Sequence, residues 1–230
     1  MSESESYKIG EREKKAIYAS RLFSGLPATE FEAALKRGSA RGNRFKNGAS
    51  IAEAESHMDE FIILLSGRMQ GVRENEHGDL NFVQLFVPGE ICGLDIVCSE
   101  TRKCPFRINA LGEVDLVFID YDGMFSGKIP RSLEKRLRDG VTRYMANESL
   151  RRLHKIDILY RRSLREKVVV YLRNLSALAN SKKIELNMNR EQLAGYLGVN
   201  RSSLSEELSK MQKDGLINYR KNSFTILKEL

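Results

Sequence analysis

Residues 186–227 read LNMNREQLAGYLGVNRSSLSEELSKMQKDGLINYRKNSFTIL, and they decide the fold of the C-terminal third. Asn189 stands at a helix start with Gln192 three residues on, the spacing of a capping box. Leu193, Ala194 and Leu197 recur at helical intervals and make the buried face of a short helix. Gly198 supplies a tight turn, and Val199 fills the space between this helix and the next. Asn200 is read as the cap of the second helix, whose Leu204, Leu208 and Met211 are spaced for burial. Its other face carries Arg201, Ser202, Ser205, Glu206 and Ser209. Asp214-Gly215 ends that helix. Leu216–Tyr219 and Phe224–Leu227 then read as two strands around a basic tip, Arg220-Lys221-Asn222-Ser223.

Two helices hinged at a glycine and followed by a basic hairpin form a winged helix-turn-helix. In that geometry the second helix enters the major groove of duplex DNA. The candidate DNA contacts are Arg190, Arg201, Ser202, Ser203, Ser205, Glu206, Arg220 and Lys221. Arg201 carries a fork that matches the O6/N7 acceptor pair of guanine. Glu206 has two open uses, accepting from a cytosine amino group or pairing with Lys210 four residues on. Arg220 and Lys221 are suited to phosphates.

Charge agrees with a polyanion partner at this end. The chain of 230 residues has a net charge of +7, and residues 160–230 hold fourteen Lys/Arg against seven Asp/Glu. The whole excess lies there, and residues 1–159 balance to zero.

Upstream the texture is different. Residues 7–39 read as short helices, with Tyr18, Leu22, Phe23, Leu26, Phe31 and Leu35 at helical intervals around Pro27. From about Arg41 to Tyr121 the chain reads as short strands: Phe61–Leu65, Met69–Arg73, Asn81–Val87, Phe106–Leu111 and Val114–Ile119. The breaks between them are Ser66-Gly67, Glu76-His77-Gly78-Asp79 and Pro88-Gly89. Strands at this spacing predict an antiparallel barrel or roll. A long helix follows over about 130–157, with Leu133, Leu137, Val141, Tyr144 and Met145 as an apolar stripe and Leu153 and Ile156 further along it, interrupted by Glu148, Arg151 and Arg152; it is read as a seam for a partner helix in a homodimer. A further helix over Arg162–Asn180 opens the C-terminal module. The fold class is therefore α+β, divided into a β-roll domain at 1–127, a dimerisation helix at 128–159 and a DNA-binding domain at 160–230.

Three stretches carry a family resemblance. REQLAGYLGVNRSSLSEELSKMQKDGLI (190–217) resembles the helix-turn-helix of the Crp/Fnr superfamily, and SLREKVVVYL (163–172) resembles the helix before it. FIILLSGRMQGV (61–72) and LFVPGEICGL (85–94) resemble strands of that family's cyclic-nucleotide-binding-like roll. The resemblance runs in order over about residues 20–227. It implies a jelly-roll (double-stranded β-helix) sensor, a long dimer helix and a winged helix-turn-helix that answers to a small-molecule effector. Double-stranded DNA, a second copy of the chain and RNA polymerase are the implied partners.

The effector candidates are Gly89, Glu90, Cys104, Arg107 and Tyr144. Gly89 and Glu90 match the start of the family's nucleotide pocket. Where the family places an Arg-Ser pair for the cyclic phosphate, this chain reads Cys104-Pro105. A cyclic phosphate needs a fixed cation and donors, and Pro105 has no N–H to give. The expectation is an effector other than cyclic AMP, or a roll that serves only as a scaffold. The recognition helix departs as well, because the family places an Arg at Glu206 and a Glu at Ser202.

Cys92, Cys98 and Cys104 are odd in number and match no metal spacing, so three buried, inert thiols are expected rather than a cluster or a redox sensor. No cofactor or metal is assigned. His77 reads as part of a hairpin tip, and His154 on the long helix is the one candidate for a haem ligand in a gas-sensing variant. The start is polar, without the apolar core of a signal peptide, and no apolar run is long enough for a membrane span, so a cytoplasmic protein is expected. An enzyme that uses the winged helix only for docking is the rival from another class. The sequence offers it no phosphate-binding glycine loop, His-rich spacing or nucleophile elbow.

Overall fold

A computed structural model describes residues 4–78 and 80–228; Asp79, expected in a strand break, lies outside the described residues. The contacts divide the chain into two compact units, Met1–Glu148 and Ser149–Leu230.

The first unit opens with β1 (Ser4–Tyr7), α1 (Glu11–Tyr18) and α2 (Ala28–Arg37). Strands β2 (Arg41–Phe45), β3 (Ser50–Ala52), β4 (Glu60–Glu74), β5 (Leu80–Phe86) and β6 (Ile91–Cys92) follow. After the single-turn α3 (Leu94–Val97) come β7 (Arg107–Asp120), α4 (Tyr121–Phe125) and the long α5 (Arg131–Tyr160). All pairings are antiparallel, in the order β1-β2-β7-β4-β5, with β3 also on β7 and β6 also on β4. This is a jelly-roll-like α+β fold.

Two pairs of strands read separately from the sequence are each one strand. Phe61–Leu65 and Met69–Arg73 belong to the single strand β4, and Val114–Ile119 and all of Phe106–Leu111 but Phe106 belong to the single strand β7. The pairing of β4 with β7 shifts register on both sides of Ser66. Gly67 takes φ 81°, and a Cβ there would meet the Glu113 carbonyl at 2.3 Å. Only glycine accommodates that approach, so Ser66-Gly67 is a bulge that bends a continuous ribbon into a roll. The core on which it closes holds Phe61, Ile62, Ile63, Leu64, Met69, Ile108, Leu116 and Ile119, each at most 1% exposed. Burial of each such side chain stabilises the fold by about 1.5–3 kcal/mol.

The N-terminal reading holds for α1 and α2, while Leu22, Phe23 and Leu26 pack from the turns between them. Strands β1, β2, β3 and β6 were not anticipated.

The long helix is three residues longer than expected at its C-terminal end, and the first half of its seam faces elsewhere. Leu133, Leu137, Val141 and Tyr144 are buried in the core of the roll's own unit, and Met145 packs against it. These residues are therefore occupied within one chain, while Leu153 and Ile156 of the same expected seam stay exposed. Further along, Leu150, Leu153 and Ile156 are 55%, 58% and 48% exposed, and Tyr160 is 83% exposed. Among the described residues no helix is long and apolar enough to cross a membrane.

The second unit contains the end of α5, then α6 (Leu164–Ala179), β8 (Lys183–Glu185), α7 (Arg190–Leu197), α8 (Arg201–Lys213), β9 (Ile217–Arg220) and β10 (Ser223–Ile226). Its core joins Ile158, Val168, Leu172, Leu193, Leu197, Leu204, Leu208, Met211, Ile217 and Phe224. The strand order is β8-β10-β9.

Candidate DNA interface

Helix α7 starts as its sequence says. The Asn189 side chain accepts from the Gln192 amide at 2.9 Å, and the Gln192 side chain accepts from the Asn189 amide at 3.0 Å. Gly198 ends the helix in the left-handed region, φ 63°. Asn200 differs from the reading: it occupies the N-cap position of α8 with extended backbone, but its side chain makes no capping hydrogen bond. The turn at Gly198 and the burial of Leu204, Leu208 and Met211 set the entry of α8 instead.

With Leu204, Leu208 and Met211 inward, a rotation of 100° per residue puts Ser202, Glu206 and Ser209 at the middle of the outward face. Arg201 and Ser205 flank it on one side and Ser203 on the other. Arg201, Ser202, Ser203 and Glu206 are all exposed, and Ser205 is half-buried. The Ser205 and Ser209 hydroxyls donate back to the carbonyls of Arg201 and Ser205, at 3.0 and 2.9 Å. Glu206 pairs with Lys210 at 2.7 Å, and that hydrogen bond holds its carboxyl below the usual range. Of the two uses left open for Glu206, the free protein displays the pair.

Beside this face stands the wing. Ser223 pairs with Arg220, so Lys221 and Asn222 form the turn between β9 and β10, with Lys221 at φ 54°. Arg220 and Lys221 are exposed. Tyr219 brings its hydroxyl to 3.3 Å from that of Ser209, and Gln212 donates to Asn218 at 2.9 Å, so the wing is tied to α8. Arg190 does not join the exposed cations. It is half-buried, its guanidinium lies over the rings of Tyr219 and Phe224, and burial lowers its pKa.

Sequence reasoning missed the groups that hold this surface from behind. Arg165 on α6 bridges Glu207 at 2.6 Å and Asp214 at 2.8 Å, near the two ends of the last turns of α8. Lys167 donates to the Leu197 carbonyl at 3.2 Å. Strand β8 adds a third strand to the wing; with Ile184 its only apolar residue, it carries no legible strand pattern.

The effector candidates lie in the other unit. Glu90 bends back on its own turn, where its carboxylate accepts from the Val87 amide at 3.0 Å. The Gly89 amide donates to Leu64, and the Tyr144 hydroxyl donates to the Ile91 carbonyl at 2.8 Å, so Gly89, Glu90 and Tyr144 gather at one place. Arg107 turns instead to Glu53, at 3.0 Å. Cys104 is buried, and its thiol donates to the Phe106 carbonyl at 3.1 Å. Arg102, the cation nearest Pro105 on its N-terminal side apart from Lys103, is bridged to Asp122 and Asp59. The expectation of three buried thiols needs one correction, since Cys92 and Cys104 are buried but Cys98 is exposed. Burial pushes the Cys92 and Cys104 thiols up, and partial desolvation raises that of Cys98 despite its exposure, which disfavours the reactive thiolate. Among the described residues no group of three His, Cys, Asp or Glu is placed to hold a metal.

An antiparallel roll and a winged helix-turn-helix on one chain define a class, the two-part DNA-binding transcription regulators. Residues 43–126 match the cyclic nucleotide-binding domain family, and residues 166–229 match the Crp-like helix-turn-helix domain family. The chain belongs to the Crp/Fnr family of transcription regulators. It is 24% identical over 194 residues to the fumarate and nitrate reduction regulatory protein of Vibrio cholerae serotype O1, covering 81% of this chain and 75% of that protein. It is 26% identical over 209 residues to the transcriptional regulatory protein btr of Bordetella pertussis, covering 84% and 79%. In fold it resembles the c-di-GMP-responsive global regulator CLP of Xanthomonas campestris, with a TM-score of 0.66 at 18% identity, covering 88% of this chain and all of that one. These relatives are regulators and not enzymes.

Proposed function

We propose that the protein acts in the cytoplasm as a homodimer that reads an inverted-repeat DNA site through α8, with Arg220 and Lys221 on the flanking phosphates. One observation carries this reading. The outward face of α8 presents Ser202, Glu206 and Ser209, with exposed Arg201 at its flank, beside a basic turn that hydrogen bonds tie to the same helix. Arg201 reads a guanine edge, and Ser203 and Ser205 support close approach. Two half-sites about 34 Å apart, one helical turn, suit a two-fold dimer.

The dimer seam is assigned to Leu150, Leu153, Ile156 and Tyr160, whose three- and four-residue spacing makes an exposed stripe on α5. The functional parts are then a sensor (1–127), a dimer helix (128–159) and a DNA-binding domain (160–230). The joint through which the sensor acts is placed before the last turns of α5. Ile158 is 2% exposed in the C-terminal core, and Lys155 lies 4.7 Å from the Tyr196 ring centroid. The last turns of α5 therefore move with the helix-turn-helix, and the joint lies before them, near Glu148-Ser149.

The effector is assigned to the roll and is not cyclic AMP. Glu90 is committed to its own turn and Arg107 to Glu53, so no cation of this set stands ready for a cyclic phosphate. The same commitments favour, as a second reading, a roll that is a scaffold only. Thermal melting of the full chain with a metabolite panel separates the two. A ligand at 100 times its Kd raises stability by about 2.7 kcal/mol. A shift with a compound other than cyclic AMP supports the first reading, and a flat panel supports the second.

A further inference from the structure

Arg190 occupies an unusual place for a cation. It is the first residue of α7, at the helix end whose free N–H groups carry the positive end of the dipole. A positive side chain there is disfavoured unless something else holds it. Its surroundings supply that. The guanidinium carbon lies 5.2 Å from the Tyr219 ring centroid and 5.5 Å from that of Phe224. Those two rings stack on each other, 5.5 Å apart and 17° from parallel. One nitrogen of the fork also donates to the Lys221 carbonyl at 3.0 Å. Lys221 is the left-handed residue of the wing turn, a conformation an L side chain adopts only when its neighbours enforce it.

We propose that Arg190 is a positioning residue rather than a DNA contact: it clamps the wing turn to α7, so that Arg220 and Lys221 are held at the height of the recognition helix. Only arginine can do this. Its planar fork stacks on a ring and hydrogen-bonds in its own plane at once, whereas a lysine ammonium offers charge without the plane. The clamp acts together with the Ser209–Tyr219 and Gln212–Asn218 contacts, so both helices of the helix-turn-helix fix the wing. This inference rests on the reading that the wing meets phosphates.

The test uses the full-length protein, a selected operator and a non-specific duplex, with binding followed by fluorescence anisotropy across a salt series. The variants are Arg190→Lys, Arg190→Gln, Lys221→Ala and the double Arg190→Lys/Lys221→Ala. The expected result is that Arg190→Lys, with its charge intact, weakens binding to both duplexes by roughly 3- to 30-fold, as Lys221→Ala does. The double variant should lose little more than either single one, and all should lower the salt slope by about 1. Wild-type binding by Arg190→Lys, with a loss for Arg190→Gln, overturns the proposal and makes Arg190 a contact charge.

A second readout needs no DNA. The Leu186 amide, bonded to the Asn222 carbonyl in the same turn, should exchange faster in Arg190→Lys, and unchanged exchange there overturns the clamp. Lys221→Ala binding like wild type while Leu186 exchange still rises in Arg190→Lys would remove the wing–phosphate reading and leave the clamp standing. Tyr219→Leu, which removes a ring and leaves Arg190 in place, should reproduce the faster exchange if Arg190→Lys does not fold.

Discussion

Gly198→Ala tests the turn on which α8 depends. The backbone there is left-handed, φ 63°, which costs a residue with a Cβ about 1–2 kcal/mol. The new methyl would also lie 3.3 Å from Leu159 Cδ2, closer than ordinary contact. Leu159 is 40% exposed, so its methyl can retreat, and this contact should cost less than the backbone does. Against both stands the lower chain entropy of unfolded alanine, about 0.4–1 kcal/mol in its favour. The net expectation is a loss of about 1 kcal/mol, or about 4–8 °C in the melting of a unit this small. The assay is urea unfolding of the full chain, read by pulsed amide exchange at Val199, which bonds across the turn to Ala194, and at Leu204, which bonds to Asn200 in the first turn of α8. Gly198→Asn should lose less, because asparagine tolerates the left-handed region, and Gly198→Val should lose more. Leu159→Ala in the Gly198→Ala background should recover only a small part. Equal stability of wild type and Gly198→Ala, or Asn faring worse than Ala, would refute the claim that backbone conformation is the reason for this glycine.

Arg201→Ala should cost about 1–3 kcal/mol at one base position and relax selectivity there; competition between duplexes differing at single positions measures it, and an unchanged preference removes Arg201 from base reading. Leu153→Glu should convert the dimer to monomer in sedimentation equilibrium, whereas Leu137→Met, in the roll core, should leave the mass unchanged; a dimeric Leu153→Glu would move the seam elsewhere. The Asp115 carboxyl is held below its ordinary value of 3.8 by the Arg44 guanidinium, with help from Ser66. Because the folded pKa is depressed, its contribution is full above that ordinary value and is lost as pH falls through the lower folded one. Asp115→Asn should therefore be less stable than wild type at neutral pH, with the gap closing below about pH 4; a gap independent of pH would mean that packing, not charge, is lost.

What the sequence made legible was local. Asn189 and Gln192 lie three residues apart and Gly198 marks a turn within one helix pair, so capping and turn chemistry suffice to read them. The roll was readable as a roll but not as these strands. Whether Gly67 ends a strand or bulges one depends on β7, some fifty residues away, and no local pattern states that partner. The seam on α5 was misread over its first half for a related reason, while Leu153 and Ile156 stay exposed. An apolar stripe says that something covers it, not what, and Leu133, Leu137 and Val141 are covered by the same chain. Arg190 was read by its charge, while its role is set by two rings and a carbonyl that arrive from residues 219–224. Cys98, at the end of the short helix α3, is exposed while Cys92 and Cys104 are buried, which spacing alone does not encode.

Selection of bound duplexes from a random library by the purified full-length protein tests the central claim most directly. The account predicts enrichment of an inverted repeat with half-sites about one helical turn apart, centre to centre, and loss of one conserved base pair per half-site when Arg201→Ala is used instead. No enrichment at low ionic strength, or an enriched site that Arg201→Ala and Lys221→Ala bind as well as wild type, would contradict it.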